Sequence, residues 1–209
     1  MISILYILIT VVLFIGAVQT AFAQNTEGKP TGLATLFMID PLTQAFCLRD
    51  GMAGLVFQQG QKRNRCSDLN FGSYEPESFS VGDEGGRQGV IIDLGKSLDL
   101  KGRYGYSETV GAGQGFASIT ASNGKALILK DYMTGQLQEM TESAKLFGTP
   151  ADGTQSVPVK LGHIYLMRLT DRHDKSFELL AKLLVVAYVP SQSVTIRWSL
   201  MSDAKNAKL

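Results

Sequence analysis

The segment Ser193-Val194-Thr195-Ile196-Arg197-Trp198-Ser199-Leu200 alternates strictly between polar and apolar residues. Successive side chains of a β-strand point to opposite faces of the sheet, so a period of two predicts a strand. One face of this strand is apolar and would fill a core, whereas the other face is polar and would meet water. The segment therefore predicts a sheet near the end of the chain.

The preceding residues extend this sheet. Residues 163–169 are rich in large apolar side chains and predict a second strand. Residues 176–189 fit either a helix with an apolar stripe or a central strand that is apolar on both faces. The pair Val185-Val186 and the stop at Val189-Pro190 favour the strand. We therefore expect a three-stranded meander, with a helix over 176–189 as the alternative.

Many of the 22 glycines lie between other short apolar runs. These runs predict further strands at 32–40, 46–57, 79–81, 89–94 and 126–129. Between Gly135 and Phe147, apolar residues spaced by three and four predict a short helix. The fold class that follows is mainly β: a single antiparallel β-sandwich or half-open barrel with at most one or two short helices.

The first 23 residues have the character of an export signal. They carry no charged side chain, and they end in Ala21-Phe22-Ala23, the small-x-small pattern that signal peptidase recognises. The stretch is also nearly long enough to span a bilayer, so an uncleaved membrane anchor is the alternative. Both interpretations place residues 24–209 in the periplasm or outside the cell, as one exported domain with disordered ends at 24–30 and 202–209.

The chain has two cysteines, Cys47 and Cys66. In an oxidising compartment an isolated pair usually forms a disulfide. Closing a loop of this length would contribute about 3 kcal/mol on the chain-entropy model. A catalytic cysteine would need a histidine partner, and His163 and His173 are remote in sequence. We therefore expect a Cys47–Cys66 disulfide.

Composition and motifs exclude several functions. The 20 basic and 19 acidic residues nearly cancel, which argues against nucleic acid as the partner. No nucleophile elbow, zinc motif, calcium loop or phosphate-binding loop is present in the sequence. We therefore expect no cofactor and no metal, and no residue is assigned a catalytic role.

Two short stretches are candidate binding surfaces. Lys62, Arg63 and Arg65 form a basic cluster beside Cys66, suited to an anionic glycan, a lipid headgroup or an acidic protein face. In the second stretch, Arg103, Tyr104 and Tyr106 combine a cation with aromatic rings that could stack on sugars or peptides. A solvated hairpin tip and a buried strand face are the respective alternatives.

The sequence thus predicts an exported, non-enzymatic β domain that binds a protein or glycan or belongs to an envelope assembly. It would meet a membrane only through an uncleaved N-terminal segment. The alternative is an envelope hydrolase whose carboxylates are far apart in sequence and meet only in the fold.

Overall fold

The computed structural model describes residues 30–40, 43–54, 58–59, 62–63, 67–82, 87–106, 115–148 and 155–201. These residues form mostly antiparallel strands, as the sequence predicts, and two short helices. The proposed leader 1–23, the segment 24–29 and the tail 202–209 lie outside the described residues. Neither helix of the described part is long and apolar enough to cross a membrane.

Five long strands form what we call the central sheet. In spatial order they are β1 (Thr31–Phe37), β15 (Ser193–Leu200), β14 (Glu178–Val189), β13 (His163–Asp171) and β8 (Arg87–Lys96), and all neighbours are antiparallel. Strands β13, β14 and β15 are consecutive along the chain and form the predicted meander. The strand interpretation of 176–189 is therefore confirmed.

A second five-stranded sheet, the outer sheet, is built from short strands. In spatial order these are β12 (Ser156–Pro158), β7 (Ser78–Ser80), β6 (Leu69–Phe71), β2 (Ala45–Cys47) and β3 (Met52–Gly54). Strands β2 and β3 form a hairpin around Asp50-Gly51, so the strand predicted over 46–57 is interrupted by a turn. A separate two-stranded ribbon pairs β4 (Gln58–Gln59) with β5 (Lys62–Arg63).

The remaining elements form a third layer, which we call the cap. It contains α1 (Ser97–Tyr104), α2 (Ser143–Phe147) and the small sheet of β9 (Ile119–Ser122), β10 (Lys125–Asp131) and β11 (Gln136–Glu139). The two-residue turn Asn123-Gly124 joins β9 to β10, and both residues have the positive φ that such hairpin turns require.

Each face of the central sheet packs against a different layer. The face carrying Trp198, Ile196 and Leu183 packs on the outer sheet and forms a β-sandwich core. The opposite face, carrying Leu166 and Leu180, packs on the cap and forms a second core. Because β13 and β14 are covered on both sides, both of their faces must be apolar, which explains the ambiguous pattern of 176–189.

The helix predicted between Gly135 and Phe147 is only partly correct. Its first half is strand β11, where Leu137 pairs with Leu129 of β10, and only Ser143–Phe147 are helical. Gly135 has φ +69° and closes the β10–β11 hairpin, so the chain cannot continue from it as a regular helix. Of the regularly spaced residues, Met140 is buried in the second core and Phe147 packs against it, whereas Leu137 is half-exposed.

Candidate functional site

The most unusual surface of the described part lies along β1, an edge strand of the central sheet. Gly32, Ala34 and Leu36 oppose β15 residues of the sandwich core, whereas Leu33 and Phe37 point to the other face. Those two side chains are 69% and 46% exposed. Large apolar residues on a bare sheet face are typical of binding surfaces rather than of a solvated face.

On one side, the backbone of β1 pairs with no other strand of the described part of the chain. Leu200 N–H donates to Pro30 O at 2.9 Å, and Met38 N–H donates to Gln192 O at 2.8 Å. In an antiparallel ladder these two bonds direct the peptide groups of even-numbered residues 30–38 toward β15. The peptide groups of odd-numbered residues 31–37 therefore point outward, and no described strand pairs with them.

The apolar surface continues beyond the end of β1. Ile39 is largely exposed, and Val189 is half-exposed in the row that contains Ser193 and Phe37. An open depression of about 380 Å³ is lined by Phe37, Ile39, Asp40 and Gln192. We call the exposed side chains of Leu33, Phe37, Ile39 and Val189, together with the open backbone of β1, the edge surface.

Strand β1 lacks the features that usually protect an exposed edge. Natural edge strands carry lysine, internal proline or a bulge to prevent pairing with another chain. Thr31–Phe37 contains no charged residue and no proline, and its pairing with β15 has no register shift. Nothing in the sequence of β1, and no strand among the described residues, blocks the addition of another strand at this edge.

A second candidate lies where β8 and β13 pair. The register shifts between Ile164 and Tyr165, which leaves a bulge in β8 next to Asp93. Asp93 Oδ1 lies 2.8 Å from His163 Nδ1 and accepts the Gly95 N–H at 2.8 Å, and Oδ2 accepts Lys160 Nζ at 3.2 Å. An added Cβ at Gly95, where φ is +83°, would lie 2.9 Å from the Asp99 carboxylate, so the bend requires glycine.

Electrostatics at this cluster favour a charged carboxylate. Burial by itself would raise the pKa of Asp93, but the hydrogen bonds from His163, Gly95 and Lys160 together lower that pKa below its ordinary value. A carboxylate on Nδ1 is also the arrangement that orients a catalytic imidazole in hydrolases. Such an imidazole needs a nucleophile, and among the described residues no hydroxyl or thiol hydrogen-bonds His163.

The neighbouring Tyr165 hydroxyl is engaged in structural bonds. It accepts the Lys160 N–H at 2.9 Å and donates to Pro158 O at 3.0 Å. Burial raises the pKa of Tyr165, so its phenol stays protonated. The Asp93–His163 pair and Tyr165 therefore tie the 158–163 turn to the bulge of β8.

Two ion pairs are buried and serve packing rather than binding. Asp68 is fully buried; its Oδ2 accepts the Leu48 N–H at 2.9 Å and lies 3.8 Å from Arg49 Nε. Burial raises the pKa of Asp68, although the charge of Arg49 opposes this shift. Arg87 Nε lies 3.6 Å from Asp171 Oδ2, and both side chains are nearly inaccessible. A ligand would not reach these groups without opening the sandwich.

The predicted aromatic platform does not form an exposed surface. Tyr104, at the end of α1, and Tyr106 are buried in the second core between the cap and the central sheet. Tyr104 Oη donates to Glu142 Oε2 at 2.5 Å, and Arg103 Nη1 bonds Glu142 Oε1 at 2.7 Å. Burial, followed by the bond to Glu142, raises the pKa of Tyr104. The aromatic rings of both tyrosines therefore serve as core residues. Arg103 links α1 to the start of α2 through its bond to Glu142.

The predicted basic cluster is only partly described. Lys62 and Arg63 form strand β5, but their side chains, and the whole of Arg65, lie outside the described residues. That binding surface stays a prediction. Cys47 is buried in β2 and is not a free thiol. Cys66 lies outside the described residues, so the pairing of the two cysteines also stays a prediction.

Hydrogen bonds to the backbone explain the two aspartates of the turn at 171–174. Asp171 Oδ1 accepts the N–H groups of His173 at 2.8 Å and Asp174 at 3.3 Å, which is an Asx turn. Within the described ranges, no three His, Cys, Asp or Glu side chains are grouped to hold a metal ion. The other acidic turn, Asp83-Glu84, lies outside them.

Sequence reasoning found the strand at 32–40 but missed the edge surface. A signal for it was present in the sequence. Residues 31–39 carry no charge and place large apolar side chains at both odd and even positions, whereas Ser193–Leu200 has polar residues at every odd position. The Asp93–His163 contact had no such signal, because 70 residues separate the two side chains and only the register of β8 against β13 brings them together.

No protein-family description matches this chain, and comparison with curated proteins and with solved structures finds no significant similarity. The function must therefore be argued from the geometry of the chain itself.

Proposed function

We propose that this protein is an exported, non-enzymatic β domain that binds another macromolecule through the edge surface. The observation that carries the proposal is the uncharged strand β1, with outward peptide groups and exposed Leu33 and Phe37. Addition of a strand to such an edge supplies main-chain hydrogen bonds for affinity and side-chain contacts for specificity.

Export is supported by the leader and by the cysteines. Residues 1–23 combine an uncharged apolar run with an Ala-x-Ala cleavage pattern. Cys47 is not a free thiol, which agrees with a protein that folds in an oxidising compartment. We therefore place the folded part in the periplasm or outside the cell, with a Cys47–Cys66 disulfide.

Intact-mass spectrometry of the native product tests export and disulfide formation together. Cleavage after Ala23 and one disulfide predict a mass that begins at Gln24 and is lower by two hydrogens than the reduced form. A full-length product recovered from the cytosolic fraction with two reactive thiols would overturn the proposed location.

Binding is tested by changing one exposed leucine on the edge surface and one elsewhere. Leu33→Lys places a charge on the edge, as natural edge strands do. Leu98→Lys makes the same change at an exposed leucine of α1. Each immobilised protein is exposed to envelope extract, and the bound polymer, including further copies of the chain, is measured by mass spectrometry.

We expect wild type and Leu98→Lys to retain the same polymer and Leu33→Lys to lose at least about 90% of it, a tenfold effect of the size that about 1.4 kcal/mol gives. Equal retention by Leu33→Lys and Leu98→Lys would show that the edge surface is not the binding surface. Both leucines are exposed, so neither change should prevent folding.

The Asp93–His163 pair supports one other candidate, an envelope hydrolase with His163 as the general base. That candidate predicts hydrolysis of a simple ester such as p-nitrophenyl acetate, and its loss in His163→Gln. We expect no turnover above buffer for either protein, because the imidazole has no described nucleophile to activate. Turnover that depends on His163 would favour the hydrolase.

A further inference from the structure

We infer that the occupant of the edge surface is a second copy of this chain, with β1 of each copy paired antiparallel across a two-fold axis. This inference rests on the proposed function, since it names the partner of the same surface. A two-fold contact uses one patch on both subunits, so the patch must be complementary to itself. The backbone, the side chains and the charges of β1 each meet this condition.

The outward peptide groups of β1 match one another in an antiparallel pair. Residues 31, 33, 35 and 37 all direct N–H and C=O to the free edge. Two antiparallel copies form hydrogen-bonded pairs whenever odd-numbered residues oppose odd-numbered residues. Registers centred on Leu33, Ala34 or Thr35 all satisfy this condition, so the backbone permits pairing without selecting a register.

Side chains select the register centred on Thr35. In that register Leu33 of each copy lies opposite Phe37 of the other copy. Pairs of aromatic and aliphatic side chains, and threonine opposite threonine, are favourable cross-strand contacts. The register centred on Ala34 would instead place Leu33 opposite Thr35 and Phe37 opposite Thr31, which leaves both large apolar side chains without an apolar partner.

Charge is compatible with self-pairing. Residues 30–39 carry no charge, so the seam contains no like-charge contact. In the sequence the first charged residues on either side are Lys29 and Asp40, which have opposite signs.

The expected dimer is weak. Within Thr31–Phe37 the register centred on Thr35 pairs residues 33–37 of the two copies, a seam about 17 Å long, and an interface of this size falls below the roughly 1,200 Å² of stable complexes. We therefore expect a Kd in the micromolar range or above, with the dimer fraction rising with concentration in analytical ultracentrifugation. A chain that stays monomeric at about 1 mM would overturn the inference.

The register is tested by cysteine cross-linking with a matched control. Thr35 and Thr195 are cross-strand neighbours whose hydroxyl oxygens lie 2.9 Å apart, so Thr35→Cys and Thr195→Cys each remove the same hydrogen bond. In the proposed dimer the Cα atoms of position 35 in the two copies would lie about 5.5 Å apart, within disulfide reach, whereas those of position 195 would be three strand spacings, about 14 Å, apart.

On mild oxidation, we expect Thr35→Cys to form a covalent dimer about tenfold or more faster than Thr195→Cys, because the seam raises the effective concentration of one thiol near the other. Equal rates would overturn self-pairing. Faster cross-linking of Leu33→Cys than of Thr35→Cys would overturn the register. The unfolding midpoint of each variant, measured without oxidation, verifies that all three are folded.

Failure of this inference is separable from failure of the proposed function. If Thr35→Cys does not cross-link but Leu33→Lys still abolishes capture of a different polymer from envelope extract, the edge surface binds that polymer and not a second copy. If Leu33→Lys changes neither capture nor self-association, both proposals fail.

Discussion

Leu166→Ala tests whether the cap belongs to the same cooperative fold as the sandwich. Leu166 lies in the middle of β13, is fully buried and faces the cap. Leu183 lies on the neighbouring strand β14, is equally buried and faces the outer sheet. The two side chains therefore probe the two cores of one sheet with the same chemical change.

The expected loss can be worked from burial. Leucine to alanine removes three carbon atoms, which is about 2.4 kcal/mol of transfer free energy at about 0.8 kcal/mol per carbon. Incomplete collapse of the cavity adds about 1 kcal/mol or more. We therefore expect Leu166→Ala and Leu183→Ala each to lower the free energy of unfolding by about 3 to 4 kcal/mol. Leu161→Ala, at a half-exposed turn position, should lower it by less than about 1 kcal/mol.

Guanidinium denaturation measures the loss in the free energy of unfolding of each variant. Unfolding can be followed by tryptophan fluorescence, because Trp198 lies in the sandwich core. A lower midpoint at unchanged slope reports lost stability, and a thermal scan should show a fall of about 6 to 16 °C. If Leu166→Ala behaves like Leu161→Ala while Leu183→Ala shows the full loss, the cap does not pack on the sheet as a single unit, and the three-layer description is refuted.

Three further changes test individual contacts. Tyr165→Phe should lower the free energy of unfolding by about 1 to 2 kcal/mol in denaturant titration, because Lys160 N–H and Pro158 C=O each lose a hydrogen bond. The control Tyr132→Phe, on the exposed β10–β11 turn, should have no measurable effect. Asp93→Asn should have a lower free energy of unfolding than wild type at neutral pH. Since the folded pKa of Asp93 lies below its ordinary value of 3.8, this loss of stability should persist above pH 3.8 and shrink as the pH falls through the folded pKa. A loss of stability that does not change with pH would contradict this explanation. Lys182→Met should cost about 1 to 3 kcal/mol, because the buried ammonium donates to two backbone carbonyls at 2.6 and 2.7 Å; an unchanged unfolding midpoint would show that those bonds contribute nothing.

The strands of the central sheet were predictable because their signal is local. The alternation in Ser193–Leu200 and the apolar run at 163–169 correspond to β15 and β13. The choice between helix and strand at 176–189 depended on whether both faces are covered, and coverage is a property of the cap, which lies elsewhere in the sequence. The local pattern favoured a strand for β14, which is correct, but left a helix as the alternative.

Helix α1 was not predicted, because its sequence carries little amphipathic signal. Its ends are set by local contacts instead. The Asp99 carboxylate accepts the Lys96 N–H at 2.8 Å, and Gly105 in the left-handed conformation donates to Lys101 O at 2.8 Å. Burial of Tyr104 and Tyr106 follows from the position of this helix over the sheet, so the burial of the predicted platform and the missed helix have one cause.

The extent of the cap explains which faces of the central sheet should be apolar. The second core includes residues of β8, β13 and β14, and none of its members lies in β1 or β15. The face of β15 that contributes no residue to the second core is polar, with Ser193, Thr195 and Arg197. Strand β1 lies beyond β15, and no described residue of the second core covers it, yet it carries Leu33 and Phe37 on the face where β15 carries polar residues. A sheet face without a covering layer is expected to be polar, and β15 fits this expectation. Strand β1, an uncharged edge strand with outward peptide groups, does not. This difference is explained if another chain covers β1.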